Sequence, residues 1–185
     1  MKNIFLFVGL VAYLNVAEAL IFKTVDGKTE FFAVGKPAMI KINGEGQSPE
    51  GTLTIVNNLV NGKLTVDLTK LTTKIDLRDD HMKNKYLEVS KYPNAVLTLK
   101  DLKLPADLSS LKNEIKLPFF GEFTLHGKTK PVTGEVTLSS ENKNVFVKAE
   151  FEVKVMDYID TLPEWFGMKV ADSVKIKTNF KGISL

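Results

Sequence analysis

The sequence contains no cysteine. Disulfides, thiolate nucleophiles and cysteine-based metal sites are therefore excluded. Histidine is almost as scarce, with His81 and His126 the only two. A metal centre needs three or four converging ligands, and no H-x-H or H-x-x-x-H spacing occurs. His81 beside Asp79 and Asp80 is the nearest approach to one, and a solvated helix face explains that run more simply. No metal and no cofactor are expected. Net charge is only +3 and the lysines are scattered, so no basic patch for nucleic acid is indicated. Nucleophile elbow, phosphate loop and dinucleotide fingerprint are all missing, and Gly44-Glu45-Gly46 reads as a turn. An active site needs a nucleophile or base held by a third group. None is visible, and no catalytic residue is assigned.

Long apolar runs are also absent. The longest, Ile4 to Val11, is too short to span a bilayer. It follows Met1-Lys2 and precedes Ala17-Glu18-Ala19, an A-x-A site. That is the layout of a cleavable secretory signal. Residues 1–19 are expected to be removed, leaving a single domain over 20–185 that is free in the periplasm or secreted. No cysteine follows the cut, so no lipid anchor is expected.

What remains is dominated by alternation. Hydrophobic residues make up 44% of the chain and charged residues 25%, an ordinary globular balance. From Val145 to Val155 every second residue is apolar, with Phe146, Lys148, Glu150, Glu152 and Lys154 between them. Val174, Ile176, Thr178 and Phe180 repeat the pattern, as do Leu64, Val66 and Leu68, and Ala95, Leu97 and Leu99. A period of two carried this far marks a sheet with one wet face. Turn signals separate about eight or nine such runs, including Asp26-Gly27, read as a tight hairpin turn. The pattern points to an all-β, antiparallel sandwich or barrel. The polar face carries Lys and Glu suited to water, so the apolar face points inward. Side chains alone or a greasy ligand would fill that interior.

Two stretches break the alternation. Thr72 to Pro93 reads as a short helical insert over about 76–88, with Asp76 as N-cap. Asp79 and Asp80 lie near its positive end, and Asp79 and Lys83 form an i, i+4 pair. Leu77, Met82 and Tyr86 are expected to turn toward the sheet. Such an insert either caps the barrel end or forms the wall of a pocket. The second, about 157–172, reads as irregular and holds Pro163 and the only tryptophan, Trp165. The connection Leu104 to Asn113 reads as polar, with one helical turn.

The run TKIDLRDDHMKNKYLEVSKYP, Thr73 to Pro93, resembles the "T-G-x-x-x-R-D-x-H-(L/M)…(F/Y)…Y-P" signature of the YceI-like periplasmic proteins. Gly121 to Val132 (GEFTLHGKTKPV) and Val170 to Ile176 (VADSVKI) are similar to two further signatures of that family, in the same order. The resemblance implies an eight-stranded lipocalin-like barrel that binds a long amphiphilic lipid such as a polyisoprenoid, a quinone or a fatty amide. It implies a periplasmic or secreted protein, often a homodimer, with no established catalysis. Thr73, Arg78, Asp79, His81, Tyr92 and Pro93 match the first signature, and His126, Gly127, Thr129 and Pro131 the second. Arg78 and Asp79 are expected to pin the helix by charge-assisted bonds. Lys74 stands where the family commonly has glycine, so a positive φ is not expected there. Tyr86-Leu87 replaces a frequent Phe-Phe pair.

Each buried methylene contributes about 0.8 kcal/mol, so a long tail needs no strong polar anchor. The expected lumen residues are Leu64, Val66, Leu97, Leu99, Phe123, Val147, Phe151, Val153, Ile176 and Phe180, with Phe120 and Trp165 at the entrance. The alternatives are an enzyme acting on an isoprenoid lipid, with His81 or His126 as base, and a structural barrel that binds nothing.

Overall fold

A computed structural model describes residues 19–36, 40–105, 108, 111, 113–141, 144–165 and 167–185. The expected leader, residues 1–19, lies outside these apart from Ala19. The side chains of Lys36, Trp165 and Met168 also lie outside the described part.

The strands are β1 (Leu20–Lys36), β2 (Lys41–Gln47), β3 (Glu50–Val56), β4 (Leu59–Asp67), β5 (Asn94–Lys103) and β6 (Ile115–Leu125). They continue as β7 (Lys128–Glu141), β8 (Asn144–Lys154), β9 (Glu164–Trp165), β10 (Met168–Val170) and β11 (Ser173–Ser184). Eight of them close an antiparallel barrel in the order β1-β3-β4-β5-β6-β7-β8-β11, and β11 pairs back onto β1. Closure leaves no free edge in the ring. In β8, Val145, Val147, Ala149, Phe151 and Val153 are buried and Phe146, Lys148, Glu152 and Lys154 are exposed. The in–out alternation read from the sequence is therefore the wall of the barrel.

Four details differ from the sequence reading. Gly44-Glu45-Gly46 is not a turn but lies inside β2, paired with Phe31, Glu30 and Thr29 of β1. Asp26-Gly27 is not a hairpin turn. The 17-residue β1 runs straight through it, with a register shift against β11 between Val25 and Gly27. Asp26 takes a φ of +39°, and a Cβ on Gly27 would meet the Asn179 carbonyl at 2.1 Å. The pair is a β-bulge, which uses the same residue chemistry as a turn. It lets β1 serve two partners on one side: Leu20–Lys23 pair with β3 and Lys28–Val34 with β2.

The second insert is not wholly irregular, because β9 and β10 form a small hairpin whose β10 pairs with the end of β1. The connection after β5 is not simply polar. Leu104 and Leu108 are only 2% and 6% exposed and plug the barrel's lower end. The upper end carries the helical insert. His126 and Gly127, with φ of +50° and +72°, make the tight β6–β7 turn, as their place after Leu125 suggests.

Candidate functional site

The insert begins where β4 ends. A 3-10 turn, Leu68–Lys70, leads into Leu71 and Thr72, and Thr72 exchanges both backbone hydrogen bonds with Glu45 of β2 at 2.8 Å. Helix α1 (Asp76–Asp80) follows and continues as a π-helix over His81–Tyr86. Asp76 is not the N-cap. Ile75 occupies that position, and no side chain caps there. The acceptor that organises the entry is Asp79. It takes hydrogen bonds from the Thr72 hydroxyl at 2.6 Å, the Thr73 N–H at 2.7 Å and the Thr73 hydroxyl. Burial works to raise the Asp79 carboxyl, but these donors and the nearby Lys83 outweigh it and hold it below the usual carboxylate value.

Lys74, between the threonines and the helix, has a φ of +63°. The expectation that its side chain would prevent this is therefore wrong. The Asp79 bonds fix the chain on either side, and the Lys74 N–H donates to the Thr72 hydroxyl at 3.0 Å.

Arg78 joins the same knot. Its Nε donates to the Thr73 hydroxyl at 2.8 Å and its Nη2 to the Thr73 carbonyl at 2.9 Å. Thr73, only 7% exposed, thus stands between the guanidinium and the carboxylate. Arg78 and Asp79 meet through it rather than in a direct ion pair.

Beneath this insert the barrel interior opens into a cavity of about 220 Å³ whose wall is almost wholly apolar. For scale, an apolar cavity of about 150 Å³ stays dry and takes up benzene. A smaller void of about 50 Å³ lies toward the plugged end. Leu64, Val66, Leu97, Phe123, Phe151, Val153 and Ile176 line the upper cavity. Leu99, Val147 and Phe180 line only the lower void. Phe120 lines neither. It is 70% exposed on the outer face, because it falls between the inward positions Phe119 and Phe123 of β6. Trp165 lies on β9, and its side chain is outside the described part.

The roof comes from residues that strand alternation does not single out. Met82, Tyr86 and Leu87 close the cavity from the insert, and Pro163, Glu164 and Val170 from the β9–β10 side. The two sides are clasped together: the Tyr86 hydroxyl accepts from the Glu164 N–H at 2.9 Å and donates to the Glu164 carbonyl at 3.2 Å. Leu77, expected to turn toward the sheet, is 54% exposed. Leu77 lies in α1, before the π-helix that carries Met82 and Tyr86 to the cavity. Phe31, Ala33 and Ile42 add wall from β1 and β2. The signal for Phe31 and Ala33 was the alternation of β1, hidden by the misread turn at Asp26.

Polar side chains around the cavity are bonded among themselves. Thr29 and Thr178 face each other at 3.4 Å, and Thr178 also donates to the Lys28 carbonyl. Arg78, which lines the wall, turns its nitrogens to Thr73 and leaves its aliphatic stem beside the cavity. His81 lines the same wall. His126 lies elsewhere, at the β6–β7 turn, with Nε2 at 2.5 Å from Glu88 Oε2 and its ring 4.5 Å from that of Tyr92. Gly127 is required there, since a Cβ would meet the Tyr92 ring at 2.7 Å. His126 and Gly127 of the second signature thus brace the base of the insert, while Phe123 and Leu125 of the same stretch line the cavity. Among the described residues no group of three or more His, Asp or Glu could hold a metal ion.

Comparison with known proteins gives a consistent picture. The sequence model of a family described as YceI-like domain matches residues 21–182. Protein YceI of Escherichia coli O6:H1 is 30% identical over 102 residues, 51% of this chain and 49% of that protein. Protein YceI of Salmonella arizonae is 29% identical over the same shares. The chain spans about half the length of the curated relatives it matches. Among solved structures, a polyisoprenoid binding domain from Saccharophagus degradans superposes with a TM-score of 0.68 at 14% identity. That match covers 92% of this chain and 100% of the other. BcnA of Burkholderia cenocepacia gives 0.65 at 18% identity, over 83% of this chain and 95% of its own. At these identities the likeness is one of fold.

Proposed function

Since the chain belongs to the family of YceI-like domains, whose model matches residues 21–182, we propose that it binds a long-chain amphiphilic lipid by its tail. The lipid is a polyisoprenoid, a quinone-like molecule or a fatty amide, held for transport, storage or sequestration. The observation that carries this reading is the 220 Å³ cavity with its almost wholly apolar wall. Such a cavity favours hydrocarbon and offers water too few partners to be held. Because Thr29, Thr178, Thr73, Arg78 and Tyr86 are already bonded to protein groups, the headgroup stays at the roof and affinity comes from the tail. The same commitment of polar groups supports binding rather than catalysis. The Saccharophagus degradans domain is described as polyisoprenoid binding, which supports a polyisoprenoid as the first candidate to test.

The leader-like residues 1–19 support export, so the protein would meet its lipid in the periplasm or outside the cell. No helix among the described residues is long and apolar enough to cross a membrane. Native mass spectrometry of gently purified protein tests the proposal. The expected result is an adduct with the mass of a long-chain lipid, lost when Ala95→Phe fills the cavity. Protein that emerges free of lipid from several hosts, and takes up no added polyprenol, would refute it.

A further inference from the structure

The upper cavity and the lower void meet at Leu64 and Leu97, which line both. The two are direct cross-strand partners on β4 and β5, and both are buried. Phe151 of β8 faces the upper cavity and Phe119 of β6, the strand beside β5, the lower void. Their rings meet edge to face with centroids 6.0 Å apart. Two glycines make room for this layer. A Cβ on Gly121 would lie 3.2 Å from Leu97 Cδ1, and one on Gly134 would lie 2.7 Å from both Phe119 Cε1 and Phe151 Cβ. Leu64 and Leu97, which border both spaces, and the Phe119–Phe151 pair, one ring on each, thus mark where the upper cavity ends and the lower void begins.

We propose that this layer is the floor of the lipid site, and that Leu64 and Leu97 determine the longest tail the protein accommodates. The inference rests on the lipid-binding reading and adds a length selection to it. Each methylene that enters the upper cavity leaves water and adds affinity. A tail that reaches the floor has nowhere to place the next carbon. It must stay in water at the roof or displace a layer packed as tightly as a crystal. The lower void offers no relief while the floor is intact, because it lies beyond the leucines, with Leu104 and Leu108 in its own wall.

The test is calorimetric titration of the full chain with a graded series of straight-chain primary alcohols. Affinity is expected to rise about fourfold with each added methylene, then break to a plateau. Leu64→Ala and Leu97→Ala join the two spaces and move the break to longer alcohols. Ala149→Leu, which fills the lower void, leaves the break where it is and cancels the shift when combined with Leu97→Ala. Ala95→Leu narrows the upper cavity and moves the break to shorter alcohols. An affinity that keeps rising without a break overturns the floor, and so does a break that Ala149→Leu alone shortens. A break left unmoved by both leucine variants in folded protein does the same. If either leucine variant fails to fold, the wild-type break with Ala149→Leu and Ala95→Leu still decides. Binding of no alcohol of any length defeats the lipid-binding reading, and the floor falls with it.

Discussion

At the scale of single residues, Lys74 is the clearest case of local cost accepted for a larger arrangement. A side chain at a φ of +63° is disfavoured by about 1–2 kcal/mol relative to the right-handed region. It persists because Asp79 holds the Thr72–Thr73 backbone and the helix together. Lys74→Gly is therefore expected to stabilise the protein by about 1 kcal/mol, read as a rise in the urea midpoint at unchanged slope. The ion pair it removes, Lys74 to Glu45 at 3.1 Å, is exposed and offsets little of this. A lower midpoint would show that the lysine side chain matters more than the backbone strain.

The sequence showed that Lys74 departs from the family pattern but gave no account of its conformation, because φ at this position is set by Asp79, five residues on. The same limit applies to Asp26-Gly27. Bulge and hairpin turn use the same two residue types, and only the partner strands decide between them. Phe123, Phe151 and the valines of β8 were legible because period two is a purely local signal. Phe120 was misplaced for the opposite reason: its size suggested a role that its parity on β6 denies.

At the scale of elements, β8 and β11 are joined outside the barrel by Glu150, which lies 2.6 Å from the Lys175 amine and 2.8 Å from that of Lys177. Hydrogen bonds from Lys175 first, then Lys177, lower the Glu150 carboxyl from 4.5 to about 2. A depressed folded value stabilises the protein fully above the unfolded value and is lost as pH falls through the folded one. Stability should therefore decline from about pH 4.5 to about pH 2, and Glu150→Gln should flatten that part of the profile. Added salt should shrink the difference, because the groups are partly exposed. Urea midpoints across this range, with and without salt, check it. An identical acid profile in Glu150→Gln would rule the linkage out.

The roof is the other element-scale device. The Tyr86 clasp on Glu164 joins the π-helix to β9, and neither the helix type nor the pairing could be read from the sequence around Tyr86. Both depend on where the β9–β10 hairpin docks. If lipid enters and leaves between these elements, Tyr86→Phe removes both bonds and should speed tail release about fivefold, with little change in unfolding midpoint. Stopped-flow displacement of a bound fluorescent fatty alcohol measures this. An unchanged rate would place the exit elsewhere.

At the scale of the whole molecule, the barrel was legible and its interior was not. Alternation says which side chains face inward, and all ten expected lumen residues do line one of the two spaces. It cannot say how much space is left between them, which depends on side-chain sizes summed across eight strands and on glycines such as Gly121 and Gly134. The division into an upper cavity and a lower void, and the sealing of the lower end by Leu104 and Leu108, emerge only from closure. The central claim is that the upper cavity holds a lipid tail. A crystal structure of gently purified protein, supplied with a polyprenol where no native lipid is retained, tests this most directly. The expected result is continuous density running from the Tyr86–Glu164 roof down to Leu64 and Leu97. Density that lies only on the outer surface, or an interior that stays empty with polyprenol present in excess, would contradict it.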